Sequence, residues 1–161
     1  MCYLLFKEKI EKIYLYDLRD IDTYNEKSYV CNSWEEVYEQ SDILITCTTA
    51  CKPYLNRTPR KGKLTMNVSL RDFDINYINV NDTTMLIDDW CEINREKTNI
   101  EQLFQSGKIQ ENDCIDIYDY LYCEKINYEK ALFFNPMGLA IFDVVVGKYM
   151  YEKAKKENGQ L

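Results

Sequence analysis

Short apolar runs, separated by polar, turn-forming or helical stretches, recur along this chain of 161 residues. Residues 42–47 are the sharpest of them: Ile43, Leu44 and Ile45 stand between Asp42 and Thr46, the pattern of a strand buried on both faces. Residues 64–68 form a second such run, which stops at Ser69-Leu70-Arg71-Asp72 after a turn-rich segment carrying Pro53 and Pro59. Residues 12–17, 83–88 and 131–134 read as further strands, two of them ending in carboxylates, and residues 29–31 as a short one.

Helical periodicity fills the gaps. Residues 2–10 read as the end of a helix. Ser33 precedes Trp34 with Glu36 three residues on, the capping-box spacing, and Trp34 and Val37 are expected to face inward. Residues 74–79 suggest one or two helical turns, and residues 98–105 a helix capped by Thr98 and stopped near Gly107. Residues 110–122 read as an acidic, aromatic helix. Residues 139–156 predict a long helix with Ile141, Val144, Val145, Tyr149 and Met150 in the core and lysines at its negative end. Strands alternating with helices call for a parallel sheet with right-handed crossovers, a Rossmann-type doubly wound α/β domain.

Composition narrows the chemistry. The net charge is −7, which disfavours a nucleic-acid partner because phosphates would be repelled. No apolar run approaches the roughly 20 residues that span a bilayer. Seven cysteines at irregular spacing suit reduced thiols in a cytoplasmic protein. With no histidine in the chain, Ser-His and Cys-His nucleophiles are excluded and no metal site is expected. Carboxylates, Lys, Tyr and Cys remain for proton transfer.

In open α/β sheets ligands collect outside the carboxyl ends of the strands. Asp17, closing the run 12–17, fits the acid that bonds a ribose diol in dinucleotide-binding domains, and it favours NAD over NADP even with Arg19 nearby. At the ends of the two sharpest runs stand Thr48, Thr49, Asn67, Val68 and Asp72. Asp72 also reads simply as a helix N-cap.

These residues resemble the coenzyme domain of the ornithine cyclodeaminase/mu-crystallin family. The likeness rests on Ser41-Asp42 with Thr46, Thr48 and Thr49, on Asn67 with Asp72, on Leu86-Ile87-Asp88-Asp89-Trp90, and on the run Asn135-Pro136-Met137-Gly138-Leu139 through Asp143. Asp88 through Lys97 is similar to the branch of NAD-dependent N-(2-amino-2-carboxyethyl)glutamate dehydrogenases, which make 2,3-diaminopropionate for siderophores. The cyclodeaminase pattern has Gly-Gly or Gly-Ser before the Asp, where this chain has Leu70-Arg71.

The resemblance implies NAD as cofactor, a small amino-acid-derived substrate, and Asp72 as acid/base. It implies coenzyme contacts at Asp17, Thr48, Thr49, Asn67, Val68, Met137, Gly138 and Leu139. Ornithine cyclodeamination or another amino-acid dehydrogenase reaction of the family, and a non-catalytic truncated dinucleotide-binding module, are the alternatives. No glycine precedes Gly62, so the first Rossmann strand, its Gly-x-Gly-x-x-Gly loop and the family's N-terminal substrate and dimerisation domain are expected to be absent. Such a partial domain is expected to bind NAD weakly and to lack turnover, with its open strand edges met by a re-closed sheet, by strand pairing between copies, or by a partner segment lost from the fragment; the full-length family is expected to be homodimeric.

Overall fold

The computed structural model describes residues 8–122 and 126–157, which divide into two compact units between Leu44 and Ile45. In the first unit, β1 (Ile13–Leu15) and β2 (Ser28–Val30) form a parallel pair, with Ile13 opposite Ser28. Helix α1 (Trp34–Gln40) follows, and the Ser33 side chain caps it by accepting from the Glu36 N–H at 3.3 Å. Glu36 reaches back to the Asn32 N–H at 3.0 Å, so the reciprocal half of the capping box lands one residue earlier than the pattern predicts. Tyr38, not Trp34 or Val37, is the residue this helix buries, with Trp34 edge-on to it at 6.5 Å.

The second unit is built on a five-stranded sheet in the order β3-β4-β7-β5-β6, with β3 (Ile43–Thr46) at one edge. The others are β4 (Leu64–Asn67), β5 (Thr83–Ile87), β6 (Cys114–Ile115) and β7 (Ala131–Asn135). The β4–β7, β7–β5 and β5–β6 ladders are parallel. This is a Rossmann-type α/β sheet. Its core is apolar where strands alternate inward: Phe133 of β7 meets Phe73 edge-to-face at 5.0 Å, both fully buried. Met85, Ile93, Ile100 and Leu103 are also sealed, each burial contributing about 1.5–3 kcal/mol.

Helix α2 (Trp90–Ile93) is capped by Asp89, and α3 (Asn99–Gln105) by Thr98, which also donates to the Ile93 carbonyl at 2.7 Å. Helix α4 (Ile117–Tyr122) and the long α5 (Ala140–Glu157) complete the described elements.

Several expectations give way. The run 42–47 is not buried on both faces: β3 is an edge strand, and Ile43 and Ile45 remain 56% and 43% exposed. Residues 74–79 form a turn rather than a helix, because the Asp74 carboxylate takes the Asn76 N–H at 2.9 Å, and a 3-10 turn comes later at Val80–Asp82. Residues 110–122 break into a 3-10 turn (Glu111–Asp113), the two-residue β6 and α4. Two residues are too few to show a period of two. Helix α5 has the expected span, yet Ile141, Val144, Val145, Tyr149 and Met150 are all exposed, since no described element covers them. The helix end expected at 2–10 lies outside the described residues apart from a turn at Glu8 and Lys9. No helix among the described residues is long and apolar enough to cross a membrane.

Leu70 lies in the left-handed region, at φ 67°, with its side chain buried. The conformation is held by two bonds: its N–H donates to Asn67 O at 3.1 Å and its carbonyl accepts from Asn99 N–H at 2.7 Å. A branched side chain there costs about 1–2 kcal/mol in backbone strain. We therefore expect Leu70→Gly to be more stable than Leu70→Ala by about 1 kcal/mol, since both lose the burial and only glycine releases the strain. Urea unfolding of the two variants checks this, and the ordinary order, alanine above glycine, would refute it.

Candidate functional site

The carboxyl ends of β3, β4, β5 and β7 carry Thr46, Asn67, Asp88 and Asn135, all buried. Asn67 is the hub beneath the rim. Its Nδ2 donates to Asn99 Oδ1 at 2.9 Å and to Asn135 Oδ1 at 2.8 Å, and its Oδ1 accepts the Thr46 hydroxyl at 3.1 Å. Asn99 in turn donates to the Phe73 carbonyl at 2.7 Å and accepts the Phe73 N–H at 3.3 Å. The amide group of Asn67 is thus fully engaged inside the protein, which leaves its neighbour Val68, half open to solvent, as the surface at this strand tip.

Asp72 does not cap a helix. Its carbonyl accepts the N–H groups of Tyr54 and Leu55 at 3.0 and 2.9 Å, and its Oδ1 accepts the Thr48 hydroxyl at 2.8 Å. The side chain is 1% exposed, and Oδ2 has no hydrogen-bond partner. Thr48 is further tied by its N–H to the Ser69 hydroxyl at 2.7 Å, so the tips of β3 and β4 are laced together at this point. Thr49 is exposed beside it. Tyr54, which sequence reasoning passed over, brings its phenol against Asp72 and Thr48; burial first, and the Asp72 charge second, push its ionisation well above the ordinary range. The only signal for it in the sequence was its place after Pro53 in a turn.

Across the sheet, Asp88 at the tip of β5 accepts the Gly138 N–H on Oδ2 at 2.5 Å and the Asp89 N–H on Oδ1 at 3.0 Å. Gly138 sits at φ 87°, a conformation glycine adopts freely, so Met137-Gly138-Leu139 turns tightly into α5. Asp88, which the sequence marks as a strand end and as part of the family likeness, is a second buried carboxylate.

In the first unit, Asp17 follows β1 by two residues, and both of its oxygens are bound by Arg19 at 3.0 Å. The Arg19 hydrogen bonds hold the carboxyl down from 3.8 to about 2. Because the folded value is the lower one, this ion pair favours the folded state above the ordinary carboxylate range and is lost as pH falls through about 2. Arg19→Ala should return the Asp17 titration, followed by carbon-13 NMR, to near 3.8.

Asn94, Arg95 and Lys97 bond locally. Asn94 donates to the Trp90 carbonyl, Arg95 pairs with Glu92 at 2.6 Å, and the Lys97 N–H is held by Glu101. Cys47 and Cys51 are exposed and in no disulfide, and no metal-binding group of three or more His, Cys, Asp or Glu occurs among the described residues. The half-buried Cys114 thiol is pushed up to about 12 by burial, which leaves it protonated and unreactive.

This geometry gathers polar side chains at the carboxyl ends of a parallel sheet, the place where open α/β sheets hold their ligands. The solved structure of Thermococcus litoralis Δ(1)-pyrroline-2-carboxylate reductase in complex with NADH and L-proline shares the fold, with a TM-score of 0.73 and 24% identity over 92% of this chain and 51% of that one. Among curated proteins, the chain is 26% identical to N-((2S)-2-amino-2-carboxyethyl)-L-glutamate dehydrogenase of Staphylococcus aureus, over 94% of its own length and 49% of the relative's. It is 25% identical to Δ(1)-pyrroline-2-carboxylate reductase of Bacillus cereus over the same shares. The chain therefore spans about half the length of the curated relatives it matches. No protein-family model matches it.

Proposed function

We propose that this chain is the coenzyme-binding part of an NAD-dependent oxidoreductase that acts at a carbon–nitrogen bond of a small amino acid. The reaction we favour is the oxidative hydrolysis of N-(2-amino-2-carboxyethyl)-L-glutamate to 2-oxoglutarate and 2,3-diaminopropionate. The observation that carries the reading is the meeting of Thr48, Tyr54 and Asp72 at the tips of β3 and β4, with an Asp72 oxygen left without a partner. The Staphylococcus relative supports the choice of substrate.

The residues fit a dinucleotide in part. Within the second unit, Thr48, Thr49 and Val68 offer an open rim and Met137-Gly138-Leu139 a close backbone approach; in the first unit, taken by itself, Asp17 is a carboxylate of the kind that bonds a ribose diol. No Gly-x-Gly-x-x-Gly cradle occurs in the sequence. Bound NAD would take up the hydride from the substrate carbon that bears nitrogen, leaving an imine. Asp72 then accepts a proton from water as the water adds to that carbon, and returns a proton to nitrogen as the carbon–nitrogen bond breaks. The sum is substrate, NAD and water giving 2-oxoglutarate, 2,3-diaminopropionate, NADH and a proton.

A second reading, reduction of Δ1-pyrroline-2-carboxylate, is favoured by the Bacillus relatives and the Thermococcus fold neighbour. It uses the same carboxylate to protonate the ring nitrogen. The two separate by absorbance of NADH: formation with NAD and the glutamate derivative supports the first, and consumption with the pyrroline alone supports the second. If a complete enzyme containing this chain neither binds NADH by fluorescence titration nor turns over either substrate, both readings fail.

A further inference from the structure

The turn from β7 into α5 is pinned from the protein side at two points. At its start, Asn135 lies opposite Ile87 of β5, and its Oδ1 accepts the Asn67 amide at 2.8 Å. At its crest, the Gly138 N–H donates to Asp88 Oδ2 at 2.5 Å, while Asp88 Oδ1 holds the Asp89 N–H at 3.0 Å. Asp88 is buried, so the tie runs beneath the surface. The outer side of the crest is open: Gly138 is exposed, and a Cβ placed on it would meet nothing within 4 Å. Its φ of 87° suits glycine and keeps a side chain out of that space. The Leu139 carbonyl then accepts the Phe142 N–H at 2.9 Å, and α5 begins.

Charge decides which part of a coenzyme can lie there. The first turn of a helix ordinarily attracts an anion. At α5 that place is held by the chain's own Asp88 carboxylate, which repels a pyrophosphate and tolerates an uncharged or cationic group. Strand β7 also lies next to β4, whose tip leads to Asp72, so the turn stands on the side of the rim where the hydride-accepting ring must meet the acid/base. We propose that Asp88 is a positioning residue: by holding the Gly138 N–H from below, it sets the Met137-Gly138-Leu139 backbone against the nicotinamide end of the coenzyme and not against its pyrophosphate. This deepens the reading above, since it takes NAD as the coenzyme and Asp72 as the acid/base.

The test compares two ligands of the complete enzyme by calorimetric titration: NADH, and ADP-ribose, which carries the pyrophosphate and lacks nicotinamide. Asp88→Asn keeps the volume and leaves one neutral oxygen for two N–H donors. Its dissociation constant for NADH is expected to rise about tenfold, the loss of one charge-assisted hydrogen bond, while that for ADP-ribose stays within about twofold of the parent. Gly138→Ala, which puts a Cβ into the open space beside the turn, should give the same split without touching Asp88. Retained ADP-ribose binding shows that each variant is folded. Equal weakening of both ligands, as a general loosening would give, or no change in either, would overturn the proposal. Amide NMR of the coenzyme-free protein reads the tie itself. The Gly138 proton, drawn downfield by its carboxylate acceptor, should move upfield in Asp88→Asn, and a proton that stays in place would also overturn it. Should the parent itself fail to bind NADH, the NAD reading falls and the proposal with it, a failure told apart because it needs no variant.

Discussion

Replacing Asn67 with leucine is expected to lower the unfolding free energy by about 3 kcal/mol. Asn67, Asn99 and Asn135 are each fully buried, and Asn67 supplies both donors that the other two share through it. Leucine has similar bulk and gains some apolar burial, but it strands the Asn135 carbonyl oxygen and the Thr46 hydroxyl, each at about 1–3 kcal/mol. Asn99 Oδ1 suffers less because it retains the Phe73 N–H. Against the roughly 5–15 kcal/mol that holds an ordinary domain together, a loss of this size shifts the unfolding midpoint clearly. Urea denaturation followed by circular dichroism, with the slope unchanged, measures it. A loss under about 1 kcal/mol would mean that the network orders the strand tips without stabilising them.

In the complete enzyme proposed above, Asp72→Asn is expected to reduce turnover by a factor of about 100 to 10,000 while leaving stability and NADH affinity nearly unchanged. Asparagine keeps an oxygen to accept the Thr48 hydroxyl at the site where Oδ1 now stands, so the lacing of β3 to β4 survives. What it loses is the capacity to take up and release a proton. Single-turnover measurement of NADH formation isolates that step from product release. Turnover within a few-fold of the parent would remove Asp72 from the chemistry and leave Thr48, Tyr54 and Asp72 as a structural lacing only.

Much of the architecture was legible in advance. The strand runs at 64–68, 83–88 and 131–134 appear within a residue or two, because apolar stretches bounded by polar residues are what a covered parallel strand requires. Ser33, Thr98 and Gly107 mark helix ends as expected, since capping chemistry acts over three or four residues and needs no distant partner. Asp74 was misread for the same local reason, its carboxylate closing a turn in place of starting a helix.

The site divides along the same line. That Thr48, Asn67 and Asp72 lie near one another could be inferred from their positions just after two apolar runs, because parallel strands bring their carboxyl ends together. That Asn67 faces inward with its amide consumed by Asn99 and Asn135, while Tyr54 faces Asp72, depends on partners 32, 68 and 18 residues away in the chain or on a loop anchored by its backbone. No local pattern encodes such pairings.

Sequence alone thus determined the order of strands and helices and the placing of polar residues at strand ends, since both follow from short-range periodicity and capping. Tertiary structure alone decided that β3 would be an edge with Ile43 and Ile45 open, that α5 would carry its apolar residues uncovered, that Leu70 would be held at positive φ, and which carboxylate oxygen would be left without a donor. These are matters of which surfaces meet. Burial and hydrogen-bond satisfaction are properties of contacts between segments distant in the chain, and hydrophobic periodicity records only which face seeks a partner, not whether one is there.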